Sequence, residues 1–332
     1  MKPFRYTFSA VLKVRNTFPC SGSIISENHV LTAGSCIENS RYKPMREALQ
    51  VIVGTTNYND LGRTGSVIDV EKYFVPLEFY RKSRSEPKGQ LRAGDIAILK
   101  LKKALNLINN MALSVIDLPR EIMSHVDQTA ALVGFGWDKI GWNPDPHVVP
   151  LGESSGQVRS AEVTILPIDY CQRSQTKTLN PEKHLCGHLN QYRRTDPHST
   201  IPDRPAGACK GDIGGPLVWD QYLSFDQQPW GEPSTPNRAS TVSSDRWCLW
   251  NSKWLKNLWS TRNTDETKTD LAVVGILSIT SSHCDERKNP SVYTNVSFYM
   301  DFIQKALKDD FDPHTMFMQE VRSVPESNEI NF

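Results

Sequence analysis

The fold of this chain is decided by one stretch, Cys209-Lys210-Gly211-Asp212-Ile213-Gly214-Gly215-Pro216-Leu217. Its glycines suit a sharp turn that presents one side chain and two backbone N–H groups to a cleft. The side chain presented in this way is that of Ile213. Isoleucine has no lone pair and no acidic proton, so no base can activate it as a nucleophile. The stretch therefore predicts a sharp turn at a cleft whose presented side chain cannot act as a nucleophile.

Two further segments accompany this loop. Leu31-Thr32-Ala33-Gly34-Ser35-Cys36 follows Cys20, and Asp95-Ile96-Ala97-Ile98-Leu99-Lys100-Leu101 comes later in the chain. In this order the three segments resemble the trypsin/chymotrypsin family, whose patterns are L-T-A-A-H-C, D-I-A-L-L-K-L and C-x-G-D-S-G-G-P-L. The resemblance runs from Phe8 to about Leu307 apart from one long insertion. It implies an all-β fold, two antiparallel six-stranded β-barrels with a C-terminal helix.

The resemblance places the catalytic triad at Ser35, Asp95 and Ile213. The aspartate is kept, but serine stands at the position of the histidine base and isoleucine at that of the nucleophile. Loss of the nucleophile or the base alone lowers the turnover of a serine protease by a factor on the order of 10⁶. Similarity alone would class the chain as a serine-type endopeptidase, whereas these residues predict a pseudoenzyme with no competent catalytic residue.

Gly211 and Asp212 are, by resemblance, the remnants of the oxyanion loop. In active relatives this aspartate pairs with a newly cut N-terminus, and in inactive precursors it often pairs with a histidine. No I-V-G-G segment precedes Cys20, and Phe18 stands at the histidine position. An unpaired buried carboxylate is costly. We therefore expect Asp212 to turn towards solvent or to find another donor, leaving the oxyanion loop unformed.

The specificity pocket of the family corresponds to Gly207, Thr280 and Ser291. Gly207 stands where trypsin-like enzymes carry an aspartate, so no carboxylate awaits a substrate arginine or lysine. Thr280 and Ser291 add side chains where relatives have glycine. Either drift after the loss of catalysis or a reshaped peptide groove accounts for these changes, and we favour drift.

Seven cysteines are present, and the resemblance implies three disulfides. Cys248 is then a free thiol or a tether to another chain. A disulfide framework is typical of an oxidising compartment and predicts an extracellular, secreted protein. The segment Met1 to Ser9 interleaves polar residues and lacks the apolar core of a signal peptide. The implied pairs are Cys20 with Cys36, Cys171 with Cys186, and Cys209 with Cys284.

Composition excludes several classes of partner. With 38 Lys and Arg against 37 Asp and Glu, the net charge of +1 favours neither nucleic acid nor an anionic membrane surface. No apolar run approaches the roughly 18 residues of a membrane-spanning helix. No close C-x-x-C pair favours zinc, and we expect no metal and no cofactor. The expected partners are proteins, and the oligomeric state is left open.

We assign residues 1–308 to a trypsin-like domain and residues 309–332 to a disordered tail. Residues 220–270 form an insertion where relatives have a short hairpin. Six of the eight tryptophans lie between Trp219 and Trp259, which suits a partner-binding arm. A structureless insertion of this length inside a compact domain is uncommon. A disordered, aromatic binding arm and an artefact of the gene model, such as a retained intron, both remain open.

The resemblance implies that an inactive homologue acts as a binding or regulatory partner in extracellular proteolysis, together with proteases, inhibitors or other cascade components. Two alternatives remain. One is a serine-type endopeptidase with residual activity, in which Ser35 would need a nearby base. The other is a decayed gene product without a selected role.

Overall fold

The fold is taken from a computed structural model of the chain. It describes residues 6–14, 19–38, 49–80, 91–120, 124–137, 139–140, 152–189, 207–220, 271–281, 284 and 289–322. Phe18, Cys248, residues 221–270 of the predicted insertion and residues 323–332 lie outside the described residues. The two interpretations of the insertion therefore stay predictions.

Six N-terminal strands close into an antiparallel barrel. Their apolar and β-branched side chains alternate towards one core, which includes Leu12, Ile24, Leu31, Phe74 and Ile98. The sheet runs in the order β4-β1-β2-β3-β6, and β5 closes it by pairing with both β4 and β6. The strands are β1 (Ser9–Val14), β2 (Cys20–Ser26), β3 (His29–Thr32), β4 (Leu49–Val53), β5 (Ser66–Pro76) and β6 (Ala97–Leu101).

A second closed barrel follows, with the strand order β10-β11-β14-β13-β12-β7. A short pair, β8 (Lys139–Ile140) and β9 (Gly152–Glu153), lies outside both barrels. Two six-stranded antiparallel barrels confirm the predicted fold class. The second barrel contains β7 (Thr129–Gly134), β10 (Arg159–Leu166), β11 (His184–Leu189), β12 (Pro216–Asp220), β13 (Leu271–Ile279) and β14 (Ser291–Asn295).

The described residues include three short α-helices: α1 (Leu77–Tyr80), α2 (Ile168–Gln172) and α3 (Met300–Leu307). The predicted C-terminal helix is confirmed as α3. It follows the last strand of the second barrel, but its inner residues Ile303 and Ala306 enter the core of the first barrel. None of the helices in the described part of the chain is long and apolar enough to cross a membrane.

The prediction of a disordered tail is wrong for residues 309–322. A further strand, β15 (Met316–Glu320), lies antiparallel to β5, with Met316 opposite Pro76 and Glu320 opposite Lys72. The segment is ordered because Met316 and Val321 bury their side chains in the core of the first barrel. This apolar area offsets the entropy cost of ordering a mostly polar segment.

All three predicted disulfides are confirmed. They join Cys20 to Cys36, Cys171 to Cys186, and Cys209 to Cys284. The first two bridges close short loops within one barrel each. The third ties the segment before β12 to the segment after β13, so it fixes two walls of the region described next.

Candidate functional site

Ser35 and Asp95 lie together, as the resemblance implies. Ser35 belongs to a 3₁₀ turn after β3, and Asp95 precedes β6, which pairs with β3 through Thr32 and Ala97. The Ser35 N–H donates to Oδ1 of Asp95 at 2.6 Å, and the Ser35 hydroxyl donates to Oδ2 at 3.1 Å. The Ser278 hydroxyl also donates to Oδ2. The carboxylate is thus held by two hydroxyls and one amide.

Asp95 is buried, whereas Ser35 is exposed. Burial raises the pKa of Asp95, and the hydrogen bonds from Ser278 and Ser35 lower it in part. None of these hydrogen-bond partners is a base. The arrangement therefore orients the Ser35 hydroxyl as a donor to a carboxylate and provides no imidazole to accept a proton from a nucleophile.

Ile213 occupies the junction of the two barrels. Its side chain packs against the hydrophobic cores of both. Its carbonyl accepts a hydrogen bond from the Ser21 N–H at 2.8 Å and lies 3.6 Å from the Sγ of Cys36, the neighbour of Ser35. The structure thus brings Ser35, Asp95 and Ile213, the positions that the resemblance assigned to the triad, into one region, where the Ile213 side chain makes apolar contacts.

The loop that carries Ile213 depends on two glycines. Gly211 and Gly214 have φ angles of 94° and 83°, a left-handed conformation that glycine adopts without strain. A Cβ at Gly214 would lie 2.2 Å from the Thr32 hydroxyl oxygen. The Gly214 N–H donates to the Leu277 carbonyl at 2.9 Å, which fastens the loop to β13. These contacts hold the backbone of the loop in place, and the prediction that the oxyanion loop is unformed stays a prediction.

Asp212 does not turn towards solvent, so that alternative was wrong, whereas the prediction of another donor was right. Its Oδ1 accepts the Gly136 N–H at 2.8 Å, and its Oδ2 accepts the Cys209 N–H at 3.0 Å. A Cβ on Gly134 or on Gly136 would lie 2.2 Å from a carboxylate oxygen. The two glycines, which we call the cradle, create the space that the carboxyl group fills.

The groups around Asp212 stabilise the negative charge of its carboxylate only in part. The residue as a whole keeps intermediate exposure, while its carboxyl group is enclosed by the cradle. Burial raises the pKa of Asp212 to about 6, although the N–H groups of Cys209 and Gly136 and the charge of Arg159 act to lower it. Hydrogen bonds from two amides thus only partly replace the cation that the resemblance implies.

The predicted pocket residues lie on three segments, Gly207 before β12, Thr280 after β13 and Ser291 at the start of β14. Gly207 is half-buried and adjoins Ala208, and the Thr280 hydroxyl donates to the Ala208 carbonyl. Ser291 is fully buried at the start of β14. The Thr280 side chain therefore spans the gap between the two segments that the disulfide of Cys209 also joins.

Known proteins resemble this chain in sequence and in fold. A family model described as Trypsin matches residues 2–225. The chain belongs to the trypsin family. It is 25% identical over 223 residues to neutrophil elastase of Mus musculus, which covers 67% of each protein. Among solved structures it is similar to neuropsin, titled a serine protease expressed in the limbic system of mouse brain. The TM-score is 0.57 at 19% identity over 92% of this chain and 97% of that one, a likeness of fold alone.

Within this trypsin-family site, sequence reasoning missed Ser21. Its hydroxyl donates to the Gly211 carbonyl at 2.7 Å and accepts the Phe135 N–H at 3.0 Å, so one buried serine joins the first barrel to two segments of the second. A serine next to a strand cysteine gives no sequence signal for this role. The contact of Ser278 with Asp95 was missed as well, because β13 and β6 are far apart in the chain.

A metal centre finds no support in the described part of this trypsin-family chain. No three side chains of His, Cys, Asp or Glu lie close enough together there to hold an ion.

Proposed function

We propose that this chain is a catalytically inactive member of the trypsin family that acts as a binding or regulatory partner in extracellular proteolysis. The observation that carries the proposal is Ile213. Its side chain stands at the nucleophile position and packs against both barrel cores. A hydrocarbon side chain can stabilise the junction of the barrels but cannot attack a carbonyl carbon.

The position of the base supports the same conclusion. The Ser35 hydroxyl donates to Asp95, so the carboxylate orients a hydroxyl in place of an imidazole. When a catalytic triad lacks its nucleophile and its base, turnover falls by a factor on the order of 10⁶. What remains of the site is a carboxylate that orients a hydroxyl, an arrangement without a base for acyl transfer.

The retained scaffold supports a binding role. The left-handed glycines, the disulfide of Cys209 and the hydrogen bond from Thr280 keep the cleft region ordered although its chemistry is gone. Three disulfides fit an extracellular protein. The partners that suit such a scaffold are proteins of proteolytic cascades, either proteases or their inhibitors.

A residual endopeptidase is the rival from the enzyme class. It would have to use Ser35, the exposed hydroxyl beside Asp95. A carboxylate that already accepts the Ser35 N–H and the Ser278 hydroxyl is a poor base for a serine hydroxyl. We therefore keep this function only as an outcome of the test below.

The test treats the full, unreduced chain with a fluorophosphonate probe and with small peptide esters. We expect no labelled serine and no turnover above the buffer rate. Ser35→Ala is the matched control, since it removes only the hydroxyl in question. Turnover that disappears in Ser35→Ala would replace the proposal with the residual enzyme.

A second measurement separates a selected binding protein from a decayed gene product. Mass spectrometry of the natural, unreduced protein should find all three disulfides. Binding of immobilised chain to trypsin-family proteases and their protein inhibitors should then show at least one saturable partner. An absence of the natural protein together with no saturable partner would favour decay.

A further inference from the structure

The C-terminal segment crosses from the second barrel to the first. After α3, residues 308–315 lead into β15, which pairs with β5 alone among the strands that the structure describes. One side of β5 is shared by two strands, since Ser66 to Asp69 pair with β4 and Lys72 to Pro76 pair with β15. We call the stretch Lys72 to Pro76 the tail edge. Without β15, this edge would present unpaired backbone groups within the described fold.

The tail edge fits the sequence of β15 closely. The Leu77 N–H donates to the Thr315 carbonyl and the Val321 N–H donates to the Glu71 carbonyl, both at 2.9 Å. In an antiparallel ladder these bonds alternate, so the N–H groups of Phe317 and Gln319 also face β5.

Side chains add to this fit. Met316 is 1% exposed, within the core of the first barrel. The ring of Phe317 meets the ring of Tyr80 edge-on, with 5.0 Å between centroids. The edge therefore selects a strand with apolar residues at these two positions.

Two ion pairs hold the tail at the point where it leaves α3. Asp309 has a φ of 55° and contacts Lys72 at 3.0 Å and also Lys100. These two lysines extend from β5 and β6, so the carboxylate fixes the start of the tail to the first barrel. Ion pairs at a protein surface are individually weak, because water and salt screen the two charges. We call the contact of Asp309 with Lys72 and Lys100 the latch. It is weak enough to open, yet its strength affects the fraction of molecules in which the tail is released.

We propose that the tail edge is a docking site for the tail strand of a second copy of this chain, which replaces β15 in a reciprocal, strand-exchanged dimer. The occupant follows from the fit itself, because the edge is complementary to this sequence. The exchanged strand would make the contacts that β15 makes now, so the dimer costs little beyond opening and association. A net charge of +1 leaves little long-range repulsion between two copies.

The test compares two full-length variants. Asp309→Asn removes the charge of the latch and keeps the side-chain size, and asparagine tolerates the left-handed backbone. Asp310→Asn is the matched control, because Asp310 is exposed and its carboxylate makes no ion pair within the described residues. Size-exclusion chromatography with light scattering measures the dimer. We expect about a fivefold rise in the dimer association constant for Asp309→Asn and none for Asp310→Asn.

A labelled peptide of residues 312–322 serves as the tail of the second copy. It should bind Asp309→Asn more tightly than the unsubstituted chain, again by about fivefold, and should dissolve the dimer. N-methylation of the peptide at Gln319 removes a donor that faces β5 and should weaken binding by about tenfold. N-methylation at Met318, whose N–H faces away from β5, should leave binding unchanged.

Three results would overturn the proposal. The first is no peptide binding by Asp309→Asn, since the open edge would then not accept the strand. The second is equal binding of both methylated peptides, because the contact would not be the predicted ladder. The third is a dimer that persists in excess peptide, which would place the interface elsewhere.

Discussion

Two enclosed carboxylates, those of Asp95 and Asp212, are stabilised by different kinds of hydrogen-bond donor. Asp95 accepts the Ser35 and Ser278 hydroxyls in addition to one backbone amide. Asp212 accepts two backbone amides and fits between two glycines. Burial raises the pKa of both groups. One site is thus assembled from side chains and the other from backbone.

The difference indicates which of the two environments tolerates substitution. The environment of Asp95 depends on side chains, since the Ser35 and Ser278 hydroxyls donate to its carboxylate. The environment of Asp212 depends on the course of the chain at Gly134 and Gly136, where any side chain would collide with it. We therefore expect substitutions around Asp212 to cost more stability than those around Asp95.

The largest effect should come from Gly136→Ala. Its new Cβ would lie 2.2 Å from a carboxylate oxygen of Asp212, so the loop or the strand end must shift. We expect a loss of about 3 kcal/mol in the free energy of unfolding, measured by urea denaturation. The double variant that combines Gly136→Ala with Asp212→Ala is the control. Removing the carboxyl group should restore much of the free energy of unfolding that Gly136→Ala loses. A loss below about 0.5 kcal/mol for Gly136→Ala would show that the cradle is loose.

The next effect concerns pH. The folded pKa of Asp212 is about 6, above its unfolded value of 3.8. The folded state therefore binds the proton more tightly, and the stabilising contribution of Asp212 is full below pH 3.8 and is lost as the pH rises through 6. The loss amounts to at most about 3 kcal/mol.

Urea denaturation from pH 4 to pH 7 tests whether the contribution of Asp212 to stability falls as the pH rises. The difference between the unsubstituted chain and Asp212→Asn isolates the group from carboxylates that act in the opposite sense, such as Asp309, whose pKa is lowered. Asp95→Asn provides the comparison, since its raised pKa gives a slope of the same sign. A pH-independent difference for Asp212→Asn would contradict the enclosed, poorly compensated carboxylate.

A smaller effect is expected at the junction itself. Ile213→Ser removes apolar contacts with both barrel cores from a partly exposed side chain. We expect a loss of about 1–2 kcal/mol in the free energy of unfolding. Ile213→Val, the conservative control, should lose less than about 1 kcal/mol. Equal stability of the serine variant and the unsubstituted chain would mean that Ile213 does not hold the barrels together.

No effect on turnover is expected from Ser35→His combined with Ile213→Ser. The double variant restores two triad side chains, but Asp212 still pairs with backbone amides and Thr280 still bridges to Ala208. Hydrolysis of small peptide esters should stay at the buffer rate. Turnover that requires both substitutions would show that the loop is already in a competent state.

The sequence predicted the barrels, the three disulfides and the meeting of Ser35 with Asp95, because these depend on motifs with fixed order. It did not predict where the Asp212 side chain points. One of its two donors, the Gly136 N–H, precedes it by a long stretch of chain, and a glycine near a strand end gives no sign that it makes room for a carboxylate. The sequence showed which partner was missing but not which backbone would replace it.

The tail strand escaped prediction for a related reason. β15 has five residues in a polar setting, and no local period marks it as a strand. Its order comes from contacts with β5, near the other end of the chain. Local propensity cannot report such a non-local pairing, so the sequence alone favoured disorder for residues 309–322.

The position of β15 also affects how the chain can mature during synthesis. A ribosome releases β5 early and β15 only after every strand of the second barrel has been made. Domains that emerge first generally fold first. Here the backbone of Lys72 to Pro76 stays without its partner strand until β15 has been made, after every strand of the second barrel. The nascent first barrel therefore carries an unpaired strand edge while the strands of the second barrel are being made.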